Sequence, residues 1–124
     1  MDFTFKPQLV EIDVKEWNPS EDEKVFVREP TAGEYALYEN LQGKMHWQGI
    51  DDADRRKVYA EIAVLFCRNA AGQLMFSKDM VATLARASSK PLRRIAIKVA
   101  ELGKIDDAEA KELEKNLPES GTTE

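Results

Sequence analysis

The sequence predicts an α+β fold, mainly helical, with an N-terminal β-hairpin packed on four to five short helices. Two short stretches of apolar–polar alternation lie near the start, with turn chemistry between them. From Thr31 onward, segments of helical period follow one another, most of them opened by a capping residue. The chain has 124 residues, 43% of them hydrophobic, which is enough for one core and hardly for two. We therefore expect a single domain over residues 1–117, with the hairpin at about 9–29, helices at about 31–117 and a flexible tail at 118–124.

In the first strand, Leu9, Val10, Ile12 and Val14 alternate with Glu11 and Asp13; in the second, Val25-Phe26-Val27 lies between Lys24 and Glu29. Trp17-Asn18-Pro19-Ser20-Glu21-Asp22 joins them, with Pro19 fixing φ while Asn18 and Ser20 can bond local backbone. A lone hairpin is marginal in water, so it must lie on the helices. Thr31 and Glu34 stand at capping-box spacing and open a short helix whose apolar residues are Tyr35, Leu37, Tyr38 and Leu41. Gly43 and Gly49 then bracket a loop containing His46 and Trp47. Asp51 or Asp52 caps the strongest helix, about 53–69, with Val58, Tyr59, Ile62, Leu65 and Phe66 on one face. Asn69-Ala70-Ala71-Gly72 ends it, Gly72 being free to take positive φ, and Gln73-Leu74-Met75-Phe76 forms an extended connector. Ser77 caps the next helix, with Met80, Val81 and Leu84. Ser88 or Ser89 caps another, with Pro91 in its first turn, Leu92, Ile95, Ala96, Val99 and Leu102 inward, and Gly103 at its end. Asp106 or Asp107 opens a weak acidic helix to about Leu117.

Composition narrows the function. No apolar run approaches the roughly 20 residues of a membrane span, and the start lacks the basic flank and apolar stretch of a signal peptide. One cysteine allows no internal disulfide, so a soluble intracellular domain is expected. His46 is the only histidine, and no local motif offers a third group to a Cys67/His46 dyad. Asp51-Asp52-Ala53-Asp54 lacks the spacing, turn glycine and closing Glu of a calcium loop, and no glycine-rich phosphate loop occurs. The sequence thus points to no enzyme, no cofactor and no metal.

Charge is distributed unevenly. Residues 1–50 hold 5 basic and 10 acidic groups, residues 51–100 hold 10 and 5, and residues 101–124 hold 3 and 8. Within the basic middle, Arg86, Lys90, Arg93, Arg94 and Lys98 occur without an intervening acid, and Lys90, Arg94 and Lys98 form one helical stripe. The stripe is either a solvated face or a docking surface for an acidic partner, the chain's own acidic C-terminal segment included. A helix, a serine turn and a second helix over 77–98 also raise a helix-turn-helix DNA reader. Pro91 at the start of its second helix, the missing turn glycine and the net charge of −5 make nucleic acid a poor partner.

Two runs carry a family resemblance. Val27-Arg28-Glu29-Pro30-Thr31-Ala32-Gly33-Glu34 and Asn69-Ala70-Ala71-Gly72-Gln73-Leu74-Met75-Phe76-Ser77-Lys78-Asp79 resemble stretches in the tail assembly chaperones of long-tailed, non-contractile phages of the lambda and HK97 kind. The similarity covers about residues 24–104; Asn69 stands where Asp is more usual. It implies a non-enzymatic assembly factor of the host cytoplasm, absent from the mature virion. Such a factor binds and solubilises the tape measure protein and helps recruit tail tube subunits. A homo-oligomer is compatible with the chain, whose oligomeric state the sequence leaves open. The resemblance also implies, in many members, a longer product made by −1 ribosomal frameshifting. Leu102-Gly103-Lys104 and Glu114-Lys115-Asn116 are compatible with slippery codons for such a shift. Another phage morphogenesis adaptor and a small DNA-binding regulator are the alternatives. For a helical client, the candidate contacts are Trp47, Met75, Phe76 and Met80 with the basic residues Arg86, Lys90, Arg93, Arg94 and Lys98. The competing reading places the Met and aromatic residues in the core.

Overall fold

A computed structural model describes residues 1–104, and their fold is α+β and mainly helical. Strand β1 (Leu9–Ile12) pairs antiparallel with β2 (Val25–Arg28), in the register Val10 opposite Val27 and Ile12 opposite Val25. The alternation then works as the sequence indicates: Ile12, Val25 and Val27 are buried, and Glu11 opposite Phe26 belongs to the other face. The connection is firmer than a plain turn. Lys15–Trp17 form a 3-10 turn, Asn18 adopts φ 58°, and the Trp17 indole donates to the Ser88 carbonyl at 3.1 Å.

The sheet has a third strand that the hairpin reading lacked. β3 (Cys67–Arg68) pairs with β2, giving the order β1-β2-β3. The strong helix therefore ends at Phe66, short of the expected Asn69, because its last residues straighten to satisfy the open backbone edge of β2. Beyond β3 the chain turns back through Asn69, whose side-chain oxygen accepts from the amides of Ala71 and Gln73, each at 3.0 Å. Gly72 takes φ 84° here, closing this reversal rather than a helix, and Leu74 bridges back to Arg68.

Helix α1 (Ala32–Met45) begins with the expected capping box: the Thr31 hydroxyl accepts from the Glu34 amide, and the Glu34 carboxylate accepts from the Thr31 amide at 2.9 Å. It runs through Gly43 to Met45, so the loop is shorter than the glycines suggest. Met45 packs partly on the core, which offsets the roughly 1 kcal/mol that a glycine costs inside a helix. Helix α2 (Asp52–Phe66), capped by Asp51, is central. Its second half is buried almost all round, because α1, α3 and α4 pack against it; Ala60, Ala63 and Val64 join Val58, Ile62 and Phe66 in the core.

Ser77 does not cap a helix directly. Its hydroxyl bonds the Asp79 side chain, a 3-10 turn (Lys78–Met80) follows, and α3 (Val81–Ala85) is one turn long. Ser88 does cap α4 (Ser89–Gly103), accepting from the Lys90 amide at 3.4 Å. Pro91, Leu92, Ile95, Ala96 and Val99 of α4 face inward against α2 and the sheet. Ile95, Val99, Phe66, Ile62 and Val27 are among the largest fully buried side chains and mark the centre of the core. The expected acidic helix at 106–117 and the tail at 118–124 lie outside the described residues.

Gly103 ends α4 against the ring of Tyr35, where an added Cβ would stand 2.1 Å from the ring carbon Cδ1. That ring is packed beside Tyr38, with centroids 5.5 Å apart, and lies against the core. Gly103→Ala should therefore displace Tyr35 and destabilise the domain by about 1–3 kcal/mol, read as a lower chemical-denaturation midpoint with an unchanged slope. An unchanged midpoint would show that Tyr35 moves away without cost.

Candidate partner-binding surfaces

The basic residues of α4 divide into those the fold uses and those it leaves to solvent. Arg94 sends two donors to the Glu16 carboxylate, both at 2.7 Å, and one of them also donates to the Asp13 carbonyl at 2.8 Å. A bidentate fork of this kind fixes orientation as well as distance, so it clamps α4 to the loop between β1 and β2. Lys98 pairs with Glu101 on the same helix at 2.7 Å. Lys90, Arg93 and Arg86 are exposed and make no ion pair among the described residues. Among the described residues, the expected stripe of Lys90, Arg94 and Lys98 is thus one unpaired cation and two partnered ones.

The apolar candidates divide in the same way. Met75, Phe76 and Met80 are half-buried and packed on the core. Phe76 meets Trp17 edge to face, with ring centroids 6.1 Å apart. Trp47 is 65% exposed, just past the C-terminus of α1. It does not stand beside the α4 cations. It lines a separate open groove between α1, α2 and the 3-10 turn before α3.

That groove is the feature sequence reasoning missed. Leu37, one of the apolar residues of α1, is 50% exposed along it. Leu41, Val64, Leu65 and Val81 supply further apolar surface, and Lys44, Lys57 and Lys78 reach it from three different elements. The signal on α1 was present, since Leu37, Leu41 and Lys44 share a helical face. The contributions of Lys57 and Lys78 come from distant sequence and needed the tertiary fold.

Two further groups bear on chemistry. Cys67 lies in β3 and not on the helix; burial pushes its thiol up to about 12, so it stays protonated. His46 is exposed at the end of α1. Among the described residues no three His, Cys, Asp or Glu side chains converge as metal ligands, and no helix is long and apolar enough to cross a membrane.

With this geometry in view, the comparisons place the fold. It is an α+β arrangement in which a three-stranded antiparallel sheet is backed by a small helical bundle. No protein-family model and no curated protein matches the chain. Among solved structures, it is similar to the tail assembly chaperone of bacteriophage HK97, with a TM-score of 0.56 at 15% identity. The match covers 86% of this chain and 91% of that one. The two proteins share this fold over most of each chain.

The Arg94–Glu16 clamp carries a pH dependence. The Arg94 hydrogen bonds pull the Glu16 carboxyl down from 4.5 to about 2, against the opposing effect of its desolvation. A depressed carboxyl stabilises the fold above its unfolded value, and that contribution disappears as pH falls from about 4.5 toward 2. Glu16→Gln should therefore be less stable than the parent at pH 7, with the two melting temperatures converging near pH 2. Parallel curves across that range would show that the clamp does not contribute.

Proposed function

We propose that this chain is a non-enzymatic phage tail assembly chaperone, binding and solubilising the tape measure protein and helping to recruit tail tube subunits. One observation carries this reading: the fold likeness to the HK97 tail assembly chaperone extends across 86% of the chain rather than one motif. The sequence resemblance adds weight because its two runs fall at architectural joints. Val27–Glu34 spans the passage from β2 into α1, and Asn69–Asp79 spans the reversal after β3 and the entry to α3. A chaperone of this kind needs exposed apolar surface with charge near it, and many copies along one client would let each contact be weak. The proposed site of action is the host cytoplasm, with the protein absent from the finished virion. Self-association and a frameshifted longer product, the latter as the route to the tube protein, belong to the same proposal.

The DNA-reader alternative fits less well. Its first helix, α3, is a single turn, and Pro91 at the start of the second is buried in the core.

Co-expression with the tape measure protein of the same phage, followed by pull-down and light scattering, is the direct test. A soluble complex holding many copies of this chain per client is the expected result. A client that stays insoluble and unbound, in a form another chaperone can solubilise, would overturn the reading. Salt-dependent binding to duplex DNA that is lost on Arg93→Ala would favour the regulator instead.

A further inference from the structure

We infer that the groove between α1, α2 and the 3-10 turn before α3 docks an amphipathic helix of a partner protein, apolar on one face and bordered by Asp and Glu. The groove has a volume of about 780 Å³, and Leu37 and Trp47 are exposed along it. Water contact with two large apolar side chains is unfavourable, and covering them gives a partner its binding energy. The polar residues around them are mostly of one sign. Lys44, Lys57 and Lys78 are exposed, and none makes an ion pair among the described residues; Glu61 is the one acidic residue in the lining. Other cations without an ion pair among the described residues, such as Arg86, Lys90 and Arg93, do not line this groove; the three lysines stand apart by the apolar surface beside them. Three unpaired ammonium groups beside an apolar surface favour carboxylates at the borders of whatever lies there and disfavour cations.

The shape selects a helix. Every lining residue belongs to α1, α2, α3 or the turns beside them, so the groove offers side chains and no strand edge whose backbone groups could pair with an extended peptide. A helix satisfies its own backbone and presents an apolar stripe about one groove wide. The surface is also concave, which suits a cylinder better than a membrane plane, and its apolar lining suits phosphate backbones poorly. The groove stands on its own geometry. Only the assignment of the docked helix to the client rests on the chaperone reading.

The test uses the full chain and two labelled synthetic helices of about five turns. Both carry leucines at i, i+3, i+4 and i+7; one has glutamates beside that stripe and its twin has lysines. Fluorescence anisotropy should show the acidic helix binding at least about tenfold more tightly, and amide shifts on binding should cluster on α1, α2 and residues 78–81. The triple variant Lys44→Glu, Lys57→Glu, Lys78→Glu should reverse the preference, an outcome that a misfolded protein cannot give. Leu37→Ser should weaken both helices. Equal binding of the twins, no binding of either, shifts confined to α4, or binding to anionic phosphatidylglycerol vesicles alone would each overturn the inference. So would much tighter binding after Asp106, Asp107, Glu109, Glu112 and Glu114 are amidated, since the chain's own C-terminal segment would then be the occupant. Concentration-dependent self-association that blocks the peptide would assign the groove to a second copy. If the triple variant loses the acidic helix yet still solubilises the tape measure protein, the groove is not the client's site and the chaperone reading survives. Failed solubilisation by the parent chain, with groove binding intact, removes that reading alone.

Discussion

The joint between sheet and helices depends on the carboxylate of Glu34. One of its oxygens accepts from the Thr31 amide and completes the cap of α1; the other accepts from Arg28 of β2 and lies 4.0 Å from Arg68 of β3. One side chain thereby fixes where α1 starts and how it leaves two strands. Burial pushes the carboxyl upward, but the Thr31 amide and Arg28, with Arg68 behind them, outweigh it and hold it below its ordinary value. Arg68 is only 6% exposed and otherwise meets the carbonyls of Leu65 and Cys67. Without Glu34, a buried guanidinium would lose its nearby countercharge, a costlier situation than losing an exposed pair.

This joint also accounts for the third strand. A two-stranded hairpin would leave the β2 edge open beside the end of α2. Cys67 and Arg68 close it in two residues, and the strand they form places the Arg68 guanidinium near Glu34. The same two residues end α2 without a glycine or a polar cap, so the helix stops where sheet pairing takes over. Arg94 does comparable work at the other side of the sheet, holding α4 to the β1–β2 connection through Glu16. Trp17, bonded to the Ser88 carbonyl, secures that connection to the start of α4.

Local chemistry made most of the fold legible. The strand alternation, the Thr31–Glu34 capping box, Asp51 and Ser88 as caps, and the end of α4 at Gly103 depend on residues close in sequence, and each stands where those residues place it. Most of the readings that needed revision depend on distant partners, Ser77 being a local exception. Phe66 ends α2 because β2 is there to be paired, and Gly43 stays helical because Met45 has a core to pack against. Ser77 turns its hydroxyl to Asp79 rather than to an amide. The candidate surface was less legible for the same reason. A run of five basic residues is visible in sequence, but Glu16 lies 78 residues from Arg94 and nothing local announces their pairing.

Charge shows the point most clearly. Residues 1–104 contain 16 basic and 16 acidic groups and are neutral, so the net −5 of the chain arises entirely in residues 105–124. Neutrality does not make the surface uniform. Arg28 and Arg68 of the sheet and Arg94 of α4 are drawn into pairs that join one element to another, while Lys44, Lys57 and Lys78 around the α1–α2 groove stand beside apolar side chains. A paired arginine has already given its directional bonds to the fold, and a partner would have to compete for them. An unpaired lysine at the edge of an apolar groove retains both its charge and its freedom of approach. Selectivity toward a partner is therefore set less by the density of basic residues along the chain than by which of them the tertiary structure leaves without a carboxylate.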